Sequence, residues 1–392
     1  MPVATDDHDR LAGCGARRLA ASTHLVTEPY GSDPPTTTRD AATVLLDAAA
    51  PSLPLRRVGA VARQVQELGF SGLWFLEGGR EAFLGSAVAA TSAEGLDVGT
   101  AVALAFPRSP MVTAQMAWEL AEATGGRFVL GLGPQIKAHN RYRFSVESEP
   151  PAPRLREYVL ALRAIFRAFQ GIEPLAFQGE YYTHTLLPPT LNPGPIEHPD
   201  VPVWMGAVGP RMAKVAGEVA DGLHVHPFHS RTYLADVLLP ALRSGAERAG
   251  RDPSSLRVAA PCFVATGDTD EEIAIARDAA RVGIAWYGTT IAYRPVFEAH
   301  GWGETQTRLA TLLKAGDHAG MAAAITDEML DEYVVTAPWD GLATALIDRY
   351  DGLADRVFNH FAVAQWEARP ELAERWGAVA TEVRRASGAS ST

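Results

Sequence analysis

The chain is predicted to be an α/β protein, a (β/α)8 TIM barrel with insertions at the C-terminal rim. Eight short apolar or β-branched runs recur along it, as a parallel sheet requires. Longer segments of helical period separate most of these runs, which is the repeat of βα units. Eight such units close on themselves as a barrel.

Residues 1–40 are rich in Asp, Thr, Pro, Gly and Ser without sustained periodicity, and they are expected to form a mobile leader. Residues 41–392 are expected to form one barrel domain. The expected strands are Thr43–Asp47, Gly72–Leu76, Leu96–Leu104, Phe128–Gly133, Pro202–Ala207, Gly222–His226, Arg257–Thr266 and Arg356–Phe361. The first helix, Leu55–Leu68, repeats Val58, Val61, Ala62, Val65 and Leu68 at three- and four-residue steps and stops at Gly69. Further helices are expected at Met111–Ala123, Leu155–Phe169, Met212–Val219 and Glu271–Ala285, the last capped by Thr269 or Asp270. Pro338 is placed to begin a helix that runs to Tyr350.

Two stretches exceed an ordinary connection, at about 171–199 and about 293–333. The first is rich in proline and holds Phe177-Gln-Gly-Glu-Tyr-Tyr182, which reads as a small hairpin. Long connections in a barrel tend to gather where they can cover a site, so both are candidate lids.

Composition narrows the function. A formal charge of −11 over 392 residues argues against nucleic acid as a partner, because a phosphate backbone needs a dense basic face. No apolar run has the length of a membrane span and no signal-peptide core is present. A cytoplasmic protein acting on a small-molecule substrate is therefore expected. The two cysteines, Cys14 and Cys262, lie far apart and belong to no Cys/His cluster, so neither a disulfide framework nor a metal site is expected.

Two segments carry the functional signal. Val201-Pro-Val-Trp-Met-Gly-Ala-Val-Gly-Pro-Arg-Met212 runs from a buried strand through Gly206, Ala207, Val208 and Gly209 into a helix. The free N–H groups of such a helix start suit a phosphate, with Arg211 and His226 as side-chain partners. The same glycines equally suit a plain tight turn. Gly99-Thr-Ala-Val-Ala-Leu-Ala-Phe-Pro-Arg-Ser-Pro110 and Thr124-Gly-Gly-Arg-Phe-Val-Leu-Gly-Leu-Gly133 read from residues alone as two core strands.

Together these segments resemble the luciferase-like family, over about residues 42–365. In that family the third strand ends near a His-Pro or Ser-Pro pair and the fourth reads Gly-Arg-Phe-x-Leu-Gly-x-Gly. Arg108-Ser-Pro110, Lys137-Ala-His139, Ala207-Val-Gly-Pro-Arg211 and Val225-His-Pro-Phe228 are similar to the branch that depends on the deazaflavin coenzyme F420. The resemblance implies a cofactor across the C-terminal mouth, a non-proline cis peptide at Ala101–Val102 against its ring, and its phosphate near Val208, Gly209 and His226. It also implies a homodimer.

Two departures bear on the chemistry. Many relatives follow the second strand with an acidic residue and a histidine, whereas this chain reads Leu76-Glu-Gly-Gly79, with Gly78 in the histidine's place. Flavin-dependent luciferases carry a phosphate-binding arginine after the fourth strand where this chain has Pro134, which disfavours FMN. The acid or base candidates are Asp47, Glu77 and His139, each at an expected strand end. Each has a structural alternative, since Asp47 can cap a turn, Glu77 can pair with Arg80 and His139 can be solvated. Lys137 can hold an anionic part of cofactor or substrate, or lie on the surface. Trp74, Phe106 and Trp204 are candidates for shaping the pocket or for core packing.

The resulting expectation is hydride transfer between F420 and a small organic substrate. The alternatives are an FMN-dependent monooxygenase and a non-catalytic barrel that keeps the cofactor cleft.

Overall fold

The computed structural model describes residues 44–50 and 52–388. The expected leader, with Cys14, lies outside them, as does Thr43. Eight parallel strands close into a barrel: β1 (Leu45–Ala50), β2 (Gly72–Phe75), β3 (Asp97–Thr100), β4 (Phe128–Gly133), β5 (Val203–Ala207), β6 (Gly222–Val225), β7 (Arg257–Ala265) and β8 (Arg356–Asn359). Each pairs with its sequence neighbours, and β8 returns to β1 with Leu45 opposite Arg356. Among the described residues no helix is long and apolar enough to cross a membrane.

The helices are α1 (Leu55–Glu67), α2 (Ala82–Ala90), α3 (Pro110–Ala123), α4 (Pro151–Phe169), α5 (Pro210–Val219), α6 (Leu239–Arg248), α7 (Asp270–Gly288), α8 (Leu342–Tyr350) and α9 (Leu372–Ala386). On α1 the periodic residues Val58, Val61, Ala62 and Val65 are buried, so the sequence period marks the face turned to the barrel. Ser109 caps α3 by accepting the Val112 N–H, and Thr269 caps α7 by accepting the Glu272 N–H. Pro338 precedes a 3-10 turn, Trp339–Gly341, which leads into α8.

Two strand expectations are corrected. The first strand runs to Ala50, not Asp47, because three alanines continue it where bulk would overfill the barrel. Asp47 consequently lies inside the strand and not at its end. The third strand is interrupted after Thr100 and resumes at Ala103–Leu104 beyond a cis Ala101–Val102 bond.

Barrel interiors are filled by side chains, and here two indoles take much of the space. Trp74 and Trp204 stack with centroids 5.7 Å apart, and Phe358 lies 6.3 Å from Trp74. Neighbouring strands make room with glycine: a Cβ at Gly99 would stand 2.3 Å from the Trp74 ring, and one at Gly222 2.9 Å from that of Trp204. His224 lies edge-on to Trp74 at 5.1 Å, and neither ring nitrogen has a partner among the described residues. The two indoles are core, and Phe106 is buried too.

The first insertion leaves the end of α4 and turns back along it as a two-stranded hairpin, with Phe177 opposite His184. Glu157 in α4 holds the hairpin by accepting the N–H groups of Glu180, Tyr181 and Tyr182. The second excursion is longer than its sequence suggests. Tyr287, in the last turn of α7, packs on His226 at the end of β6, so α7 belongs to the excursion. Four short helices between 294 and 333 follow, and Val334–Thr336 then pairs beside the end of β7.

Candidate functional site at the barrel mouth

The C-terminal ends of the strands bring most of the sequence candidates together. On one side Val102, directly after the cis bond, sits above two glycines. A Cβ at Gly133 would lie 2.5 Å from its side chain and one at Gly206 3.3 Å. Gly131 is equally constrained, since its Cβ would stand 1.9 Å from the Thr100 carbonyl oxygen. The Gly-x-Gly pattern of β4 and the glycine of β5 thus let the kinked third strand lie close against both.

Next around the mouth is the start of α5. Gly209 is its N-cap residue, with φ −111° and ψ 162° and no side-chain cap, and Pro210 opens the helix. A Cβ at Gly209 would meet nothing within 4 Å. Pro210 has no N–H and the Met212 N–H bonds the Gly209 carbonyl at 3.2 Å, so among the described residues the Arg211 N–H is the first-turn amide left without an acceptor. Arg211 is exposed there and makes no ion pair among the described residues. Tyr233 donates its hydroxyl proton to the Val208 carbonyl at 3.0 Å, which fixes this turn. His226 lies alongside, its N–H bonded to the Ala207 carbonyl.

The His226 ring is oriented by its own loop. Its Nδ1 accepts the Phe228 N–H at 3.1 Å, so the ring proton sits on Nε2. Burial, helped by His360 and His229, lowers its pKa to about 3. His229 holds the other side, bonding the His226 carbonyl through Nδ1 at 2.8 Å and the Tyr350 hydroxyl through Nε2 at 3.1 Å.

Glu77 is at the mouth, but its carboxylate is already engaged. It pairs with Arg108 through both oxygens, at 2.8 and 2.9 Å, and accepts the Leu104 N–H at 2.8 Å. Arg108 also binds the Leu104 carbonyl and Glu81. This network clamps the segment that follows the cis bond. Arg80, the partner considered from the sequence, instead donates to the Ser52 carbonyl. Arg143 donates to the carbonyl of Gly78, tying the loop after β4 to the loop after β2. Lys137 and His139 lie exposed on the short helix Lys137–Tyr142 between those anchors.

Asp47 is not at the mouth. It is fully buried and is held by Arg356 at 2.6 and 2.8 Å and by the Trp74 Nε1–H at 2.8 Å. Arg356 also reaches Asp97 at 2.6 Å. Arg356 and Asp97 open their strands, so this cluster closes the opposite, N-terminal end of the barrel. Burial alone would pull the Arg356 pKa down, but the two carboxylates outweigh it and raise it. Asp47 and Arg356 are 309 residues apart. The one hint in the sequence is a charge opening an apolar strand.

The sequence model for luciferase-like monooxygenases matches residues 35–356. The chain belongs to the luciferase-like monooxygenase family. It is 43% identical over 322 residues to an uncharacterised protein of Mycobacterium tuberculosis, covering 82% of this chain and 94% of that one. It is also 29% identical over 292 residues to the 5,10-methylenetetrahydromethanopterin reductase of Methanolobus tindarius, covering 73% and 84% of the two chains. In fold it is similar to the coenzyme F420 dependent tetrahydromethanopterin reductase of Methanopyrus kandleri, with a TM-score of 0.67, 19% identity and coverage of 81% and 93%. The luciferase-like family includes both F420-dependent enzymes and FMN-dependent monooxygenases, so membership points to an oxidoreductase.

Proposed function

We propose that this luciferase-like chain is an F420-dependent oxidoreductase that exchanges a hydride with a small organic substrate. The observation that carries the reading is the open start of α5. Gly209 leaves the space before the helix open, and Arg211, exposed there, offers both its side chain and an unbonded backbone N–H. This is a site for a phosphate. The residues therefore fit a phosphate-bearing ring cofactor, with Val208, Gly209, Arg211 and His226 at its phosphate. Ala101, Val102, Gly206 and Ala207 line the adjoining floor. Pro134, where FMN enzymes of the family carry arginine, favours the deazaflavin.

When bound, F420 supplies a two-electron carrier that gives or takes hydride at the carbon replacing the flavin N5. The chain's own residues supply position and proton handling. Glu77 and Arg108 fix the backbone after Val102, so Glu77 is a positioning residue. His139, exposed and free of that network, is the proton-carrying candidate on this side, with Lys137 beside it for an anionic group.

Titration of the full-length protein with F420 and, separately, FMN tests the reading by fluorescence. Saturable F420 binding with weaker FMN binding is expected. Preferential binding of reduced FMN with oxygen-dependent product formation overturns it in favour of a monooxygenase. F420 binding without turnover across alcohols, ketones and enones identifies a non-catalytic cofactor-binding barrel.

A further inference from the structure

The far side of the mouth, over β6, β7 and β8, is built differently. Six aromatic rings follow one another in the order Tyr293, His226, Tyr287, Phe263, Phe361 and His360. Successive centroids are 4.5, 4.7, 6.1, 6.3 and 4.7 Å apart. The rings come from three strand ends, the last turn of α7 and the start of the second insertion. Phe361 is 39% exposed, and His226, Tyr287 and Tyr293 are half-buried. The arc therefore borders open space while resting on the core.

Several of its polar atoms lack partners. Among the described residues no hydrogen bond is made by the hydroxyl of Tyr287 or of Tyr293. The Nδ1 of His360, a residue only 9% exposed, is buried and unpaired. Most buried polar groups in folded proteins have partners, so an unpaired one beside open space points to a ligand. The His226 Nδ1 is taken by the Phe228 N–H, and its Nε2–H is the donor assigned above to the cofactor phosphate. The arc also carries no full charge. The groups that act electrostatically on His226 are His360 and His229, and the one that acts on Tyr293 is Tyr287.

We propose that this arc is the substrate wall of the site and selects an uncharged compound, one with a carbonyl or hydroxyl oxygen on a compact apolar body. The rings receive the apolar body. The Tyr287 and Tyr293 hydroxyls meet the oxygen. An ionised ligand would lose its water without finding a counter-charge. The proposal rests on the mouth being the active site, and it extends that reading to substrate class.

The test uses full-length protein without cofactor, in inorganic phosphate buffer that occupies the anion site at the start of α5, and three probes of one shape: cyclohexanone, cyclohexanecarboxylate and cyclohexylammonium, titrated by saturation-transfer NMR. Cyclohexanone is expected to bind at least about tenfold more tightly than either ion. Tyr287→Phe and Tyr293→Phe are each expected to weaken it roughly 3- to 10-fold, the effect of one neutral hydrogen bond, with unchanged thermal stability and unchanged F420 affinity. Equal or tighter binding of either ion overturns the proposal, as does cyclohexanone affinity unaltered in both variants. If F420 fails to bind the wild type while the cyclohexanone pattern holds, the cofactor reading falls and the substrate wall stands.

Discussion

Replacing Gly209 by leucine separates the proposed cofactor site from the fold. The backbone there, φ −111° and ψ 162°, is open to any L-residue, and a Cβ meets nothing within 4 Å. The change therefore costs folding at most about 1 kcal/mol, the difference between glycine and an aliphatic residue at an N-cap. A bound phosphate would lose far more. One hydrogen bond from a helix amide to a charged group contributes about 1.5–3 kcal/mol, and the helix dipole adds about 0.3–1 kcal/mol. The sum, about 2–4 kcal/mol, corresponds to an F420 affinity roughly 30- to 700-fold weaker. Fluorescence titration of G209L and wild type, with urea unfolding of both in parallel, measures the two effects separately. Undiminished F420 affinity in a folded G209L protein would refute the phosphate assignment.

Acid should destabilise the fold through its buried histidines. His224 and His226 are lowered by burial to about 3, and His229 and His360 to about 4. Below pH 6.5 the unfolded chain takes up protons that the folded chain refuses. Each of these histidines therefore removes up to about 1.4 kcal/mol per pH unit as pH falls from 6.5 toward 4; denaturant unfolding that shows constant stability from pH 7 to 5 would contradict this. Arg356→Leu leaves Asp47 and Asp97 without their counter-charge and should cost about 3–5 kcal/mol, read as a lower urea midpoint, while a loss below 1 kcal/mol would show the cluster to be dispensable. Gly99→Ala drives a methyl to within 2.3 Å of Trp74 and 2.8 Å of the Val129 carbonyl. It should cost about 1–3 kcal/mol or more by overpacking, visible as a depressed Tm.

Where a segment is defined by its own neighbours, the sequence was readable. Phe128–Gly133 was expected as a strand with the bounds it has, and α1 ended within a residue of its expected stop at Leu68. Both are apolar patterns bounded by turn-forming residues. The helix after Gly209 is legible for the same reason, although it begins at Pro210, two residues before its expected start at Met212. Asp47 was misplaced because Ala48–Ala50 carries little strand propensity, yet small residues suit the crowded barrel. Helix α2, Ala-Phe-Leu-Gly-Ser-Ala-Val-Ala-Ala, is apolar on nearly every face, which erases the period that reveals a helix. The commitment of Glu77 to Arg108 joins residues 31 positions apart, and the aromatic arc joins five separate segments. Neither has a local pattern, because each exists only once the barrel has closed.

The two sides of the mouth are also unequal in their freedom to change. Around Val102, glycines at 133 and 206, the Glu77–Arg108 clamp and the Arg143 tie leave little tolerance for substitution, since each change propagates into backbone. Tyr287 and Tyr293 sit half-buried outside the barrel strands, so their side chains can change without altering a strand. Such a division lets new specificities arise on one rim while the other stays fixed. An engineer seeking a different substrate would accordingly vary Tyr287 and Tyr293, spare Gly288, where a Cβ would stand 2.6 Å from Leu309, and leave 101–108 alone.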